Sequence, residues 1–217
     1  MSPIRLLNTL LLVAAITGAV MTYRAGRIRR ELLAEQNRLE QLVGSLQVKD
    51  LTKMHVRALD TEEPLHFAWR VYFPANFASH WRSLGSSGSS SSRNTPRECV
   101  MRVRLRENHD GEIEVYTKEC SGSSRSGLGN EALAELLRDR WDQIEVEQLG
   151  TDGTAVVEPD EIATLVRLTF SDSLKQDARE KLSKRDWHRY QSLLYEYRIG
   201  SKEAFEKADA AETARKK

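Results

Sequence analysis

Two cysteines and five histidines in 217 residues leave little for thiol, zinc or redox chemistry. Cys99 and Cys120 belong to no Cys-x-x-Cys pair, and His55, His66, His80, His109 and His188 are scattered. No two histidines are four apart, the spacing that puts two ligands on one helix face. No metal, no cofactor and no activated nucleophile is implied. The acidic run Glu158-Pro159-Asp160-Glu161 lacks the ligand spacing of a calcium loop and reads as a solvated turn. Positive charge is not in excess either. With 33 Lys and Arg against 32 Asp and Glu, the net charge is +1, which gives no reason to expect nucleic acid.

What the chain does have is one long apolar run near its start. Between Ile4 and Tyr23 no residue except Arg5 is charged, and Arg24, Arg27, Arg29 and Arg30 close the run. A helix of about 18 residues rises roughly 27 Å, close to the hydrocarbon thickness of a bilayer. The run predicts a retained membrane anchor. A cleaved signal peptide is the competing reading, but Thr17-Gly18-Ala19 is a poor cleavage site, with Met21 and Tyr23 close behind it. The arginines that follow the run place the C-terminal bulk in the cytoplasm under the positive-inside rule. A signal anchor with a very short tail would send it across instead. Small residues recur every fourth position through Ala14, Gly18 and Thr22, so two such helices could pack closely.

Ile28, Leu32, Leu39, Leu42 and Leu46 then follow a heptad seam with Glu35 in the missing position. The flanking residues are polar, as the outer faces of a short coiled coil require. The expectation is a helical stalk over 24–49. Ala14, Gly18, Leu32, Leu39 and Leu42 are the self-association candidates, and a homodimer the assembly they imply.

Residues 50–217 suffice for one domain with its own core. Leu65, Phe67, Trp69, Val71 and Phe73 alternate with more polar neighbours, the clearest strand in the chain, with the odd-numbered set facing the core. A hairpin follows over 99–120. A three-residue loop, His109-Asp110-Gly111, sets Leu105 opposite Val115 and Arg106 opposite Glu114. In that register Cys99 and Cys120 point to opposite faces, so a disulfide needs a bulge or a frayed end. Arg102, Arg104 and Arg106 form a basic strand face. Glu112, Glu114 and neighbouring carboxylates can neutralise it, and anionic lipid or an acidic partner is the alternative. The serine-rich tract from Leu84 predicts an exposed loop over 84–95. Asn130 caps a helix, and short strands are expected over 144–149, 154–157 and 162–170. Beyond 172 the chain reads as helical, with starts at Ser173-x-x-Gln176 and Ser183-x-x-Asp186. Trp187, Tyr190, Leu194 and Tyr197 fall at helical spacing there, and Trp187, Tyr190 and Tyr197 are the candidate partner contacts.

The predicted fold class is therefore α+β. Residues 1–23 form the tail and transmembrane anchor, 24–49 the stalk, and 50–217 a mainly antiparallel sheet with helices packed on one face. The predicted function is that of a single-pass membrane protein acting through an unidentified protein partner. A membrane-tethered enzyme or ligand sensor, with a pocket beside the serine tract and His66, His80 or Cys120 at work, is the alternative.

Overall fold

A computed structural model describes Gly18, 21–24, 26–27, 29–30, 45–84 and 86–215. The chain divides into two compact units, Met1–Ser45 and Leu46–Lys217. In the first, Gly18, 21–24, 26–27 and 29–30 are helical, and the Thr22 hydroxyl donates to the Gly18 carbonyl at 2.9 Å. That bond satisfies the threonine within its own helix. Among the described residues no helix is long and apolar enough to cross a membrane. Most of the expected anchor and the heptad seam from Leu32 to Leu42 lie outside them.

The second unit holds two antiparallel sheets and a few helices, an α+β fold. The strands are β1 (Met54–Leu59), β2 (His66–Phe73), β3 (Ser79–Ser83), β4 (Ser86–Ser89), β5 (Arg97–Glu107), β6 (Ile113–Lys118), β7 (Ser123–Gly129), β8 (Ile144–Gln148), β9 (Ala155–Val157), β10 (Ile162–Phe170) and β11 (Tyr195–Ser201). One sheet has six strands in the order β7-β6-β5-β2-β1-β9, the other five in the order β4-β3-β11-β10-β8. Where one sheet was expected there are two, because Pro74–Ala78 carries the chain from β2 in one to β3 in the other.

The sheets share one hydrophobic core. Phe67, Trp69, Val71 and Phe73 enter it from β2, as the alternation predicts, with Met101 and Val103 from β5. Trp81, Tyr195, Tyr197 and Ile199 enter from the five-stranded sheet. Burying each such large side chain is worth about 1.5–3 kcal/mol. In β10 a bulge between Thr164 and Val166 lets the adjacent Leu165 and Val166 both be buried. The Trp69 indole N–H donates to the Leu149 carbonyl at 3.2 Å, tying β2 to the loop after β8.

The helices are α1 (Glu131–Leu137), α2 (Asp172–Lys181), α3 (Lys184–Tyr190) and α4 (Lys202–Arg215). Asn130 and Ser183 cap α1 and α3 as expected, while Ser171 caps α2 in place of Ser173. The helices do not share one face. α1 touches β6, β7 and α2, and α2 touches β10 and α3. α4 instead covers the outer face of the five-stranded sheet through Phe205, whose ring lies 4.6 Å from the Arg82 guanidinium. Arg82 then binds Asp209 through two bonds of 2.6 Å.

Two further expectations fail. The region from 172 is not helical throughout: Tyr195–Ser201 is a strand between β3 and β10, because Tyr195, Tyr197 and Ile199 also alternate. The serine tract is not all loop. Ser86–Ser89 pairs with β3, the Ser83 and Ser86 hydroxyls bond at 2.6 Å, and the Ser79 and Ser90 hydroxyls at 2.6 Å. Gly88 lies beneath the Trp81 indole, where a Cβ would come within 2.6 Å of the ring.

Candidate functional site

The hairpin register decides what the arginine strand meets. Leu105 stands opposite Val115 and Arg106 opposite Glu114, as expected, with Gly111 at φ 73° in the turn. Two further residues along, Arg102 stands opposite Lys118. Residues paired across neighbouring strands point to the same side, so the two cations share the outer face of the six-stranded sheet. That face also carries Arg57 from β1 opposite Arg70 from β2, Arg104 and Arg106 from β5, and Arg125 from β7, which is opposite Tyr116.

Neutralisation is partial. Arg70 pairs with Glu98, Arg104 with Glu63 at 2.7 Å, and Arg106 and Arg125 share Glu114 at 3.4 and 3.6 Å. Glu112 pairs with none of them among the described residues. Arg102 and Lys118 meet no carboxylate there either. Like charges directly opposite each other destabilise a sheet. His66 sits opposite Arg104 on this face. Burial lowers its pKa, Glu63 opposes that, and Arg102 and Arg104 add to it.

The segment that leads into β1 lies on this same face. The Lys49 and Asp50 amides donate to His55 Nε2 at 3.3 and 3.4 Å, and the Tyr72 hydroxyl donates to the Leu51 carbonyl at 3.2 Å. His55 and Tyr72 are register partners pointing outward. Leu51 is 67 % exposed, and Val156, opposite His55 on β9, is 49 % exposed.

Behind the sheet lies a second cluster. Cys99 and Cys120 form a disulfide with Cα atoms 5.4 Å apart. The frayed end that this required is present: β6 stops at Lys118, and the Glu119 amide bonds the Gly122 carbonyl at 2.8 Å, so the chain has turned by Cys120. Cys120 lines a cavity of about 10 Å³ with Trp81, Ser90, Met101 and Glu119, room for about one water. Burial raises the Glu119 pKa, opposed by a hydrogen bond from Trp81. Burial likewise raises Tyr195, opposed by the Ser83 hydroxyl, and Tyr197, whose hydroxyl is unpartnered among the described residues.

The residues singled out in the sequence are dispersed. Tyr190 is 2 % exposed and its hydroxyl donates to the Leu128 carbonyl, while Tyr197 is 1 % exposed beneath Trp81. They are core residues, and with Trp187 half-buried the expected contact stripe does not form. His66 lies on the outer face of one sheet, His80 against Phe205 on the outer face of the other, and Cys120 between the sheets. Gly18 is helical and exposed, and a Cβ there would meet nothing within 4 Å. Ala14, Leu32, Leu39 and Leu42 lie outside the described residues. Among the described residues no group of three or more His, Cys, Asp or Glu is arranged to hold a metal.

The chain matches no known protein family, no curated protein and no solved structure. The functional reading therefore stands on the geometry of this head. The sequence shows the arginine strand; that Arg70 and Arg125 extend it needed the neighbouring strands.

Proposed function

We propose that the chain is a single-pass membrane protein of non-enzymatic function, whose head works as an interaction module through the outer face of the six-stranded sheet. The observation that carries this reading is the facing pair Arg102 and Lys118, a like-charge arrangement that weakens the sheet. A surface that sacrifices stability in this way is a contact surface waiting for negative charge. The apolar run before Arg24 supplies the anchor, and pairing of that helix and the stalk into a homodimer belongs to the same proposal.

The head lies on the oxidising side of the membrane in this reading. The disulfide supports it, since such bonds do not persist in a reducing cytosol. The arginines after the anchor argue for the cytoplasmic side. The disulfide outweighs them in this reading, because a reducing compartment would open the bond.

One experiment tests both parts. Ser92, exposed beyond β4, is changed to cysteine in the full chain, with the native pair left intact. Labelling by a membrane-impermeant maleimide in intact cells, with retention through alkaline carbonate washing, is the expected result. Labelling only after lysis overturns the location, and release by carbonate overturns the anchor.

A further inference from the structure

The outer face of the six-stranded sheet combines three properties that a protein partner does not require together. It is cationic, with seven Lys and Arg side chains (Arg57, Arg70, Arg102, Arg104, Arg106, Lys118 and Arg125) against Glu63, Glu98 and Glu114. It carries exposed apolar side chains at the β1–β9 edge, Leu51 and Val156. It also holds the segment that leads into β1, bonded across His55 and Tyr72.

We propose that this face seats the head on anionic phospholipid headgroups. Arg102, Lys118 and their neighbours meet the phosphates, and Leu51 and Val156 reach the boundary with the acyl chains. Cations beside an anionic membrane surface contribute about 1 kcal/mol each, and apolar side chains at the interface add their burial. Lipid is favoured over an acidic peptide or a nucleic acid for two reasons. The apolar run before Arg24, read as an anchor, holds the head at high local concentration beside lipid. Leu51 and Val156 leave water at the boundary between headgroups and acyl chains, which the sugar-phosphate surface of a nucleic acid does not offer. The proposal rests on the membrane reading for the source of that proximity, though not for the chemistry of the face.

The full chain tests it. Ser123, exposed and opposite Lys118, is replaced by cysteine and carries an environment-sensitive dye. Ser173, exposed at the start of α2, carries the dye in a control. Both proteins are reconstituted into phosphatidylcholine vesicles with and without phosphatidylglycerol, each containing a headgroup-nitroxide quencher. The expected result is strong quenching at Ser123 only with phosphatidylglycerol. It should be lost at about 0.5 M salt, where the screening length falls to a few ångströms. The variant R102E/K118E should weaken the effect about tenfold or more, and Leu51→Ser should weaken it with the fold untouched, its side chain being in water already.

Equal quenching at the two sites, equal quenching without anionic lipid, or indifference to R102E/K118E in a folded protein overturns the proposal. So does preferential, salt-sensitive binding of an acidic peptide or an oligonucleotide with no quenching by lipid. Loss of the chain from the vesicles on carbonate washing defeats the anchor reading alone. The face is then tested by flotation of added full chain with the same two lipid compositions, and failure to float with phosphatidylglycerol overturns it.

Discussion

Arg102 and Lys118 stand directly opposite each other on adjacent strands, two cations on one face that pair with no carboxylate among the described residues. Elsewhere on that face the same cross-strand position is used for attraction, as in Arg106 and Glu114. The sheet therefore holds both the arrangement that stabilises it and the one that does not.

Lys118→Glu should convert the repulsive pair into an attractive one. Exposed cross-strand pairs are worth about 0.2–1 kcal/mol, so a gain of about 0.5 kcal/mol is expected in urea unfolding. The gain should shrink in high salt. Loss of stability in this variant would show that Lys118 has a favourable partner in the native head.

The disulfide between Cys99 and Cys120 closes a loop with a sequence separation of 21. Loop-closure entropy for that length is about 3 kcal/mol. Cys99→Ser with Cys120→Ser, or reduction of the native chain, should lower the unfolding midpoint by a corresponding amount. Denaturation without reductant should expose no free thiol. One or two thiols under those conditions would contradict the pairing.

Gly150 is held at φ 85° with its carbonyl accepting from the Ala58 amide at 3.0 Å. A Cβ there would come within 2.9 Å of that amide nitrogen and 3.0 Å of the Val56 carbonyl oxygen. Both neighbours are strand backbone and cannot swing aside. Gly150→Ala should cost about 1–3 kcal/mol from the strained backbone and the displaced strand, read as a fall in melting temperature.

His66 and His80 both have pKa values lowered below 6.5, chiefly by burial. The unfolded chain then binds more protons than the native one in the window beneath 6.5. Their contribution to stability is fully present above 6.5 and is lost as pH falls through the native values. Melting temperature should decline on acidification across that window. Replacing both by Gln should flatten the decline, and an unchanged slope would refute the assignment.

Much of this architecture could be read from local pattern. The alternation from Leu65 to Phe73, the hairpin register and the caps at Asn130 and Ser183 rest on residues close together in the chain. β11 was hidden because Tyr190, Leu194 and Tyr197 fit a helix while Tyr195, Tyr197 and Ile199 fit a strand. Short apolar runs do not distinguish the two. Only pairing with β3 and β10, far off in sequence, settles it. The serine tract was misread from composition. Its order comes from hydroxyl pairs and from the Trp81 ring above Gly88, neither visible in a count of serines. The basic face was half legible, since Arg102, Arg104 and Arg106 declare it but the acids that spare or neutralise each one depend on three strands.

The place of β11 sets a schedule for synthesis. Trp81 is paired with Ile199, 118 positions later, so β3 leaves the ribosome long before the strand that will cover its inner edge. An open strand edge in that interval is a template for association with other nascent chains. Of the two edges of β3, one is covered early by the neighbouring Ser-Ser-Gly-Ser strand β4, and only the other waits for β11. The serine tract thus acts in time as well as in space, halving the open edge that β3 presents until the centre of the sheet arrives.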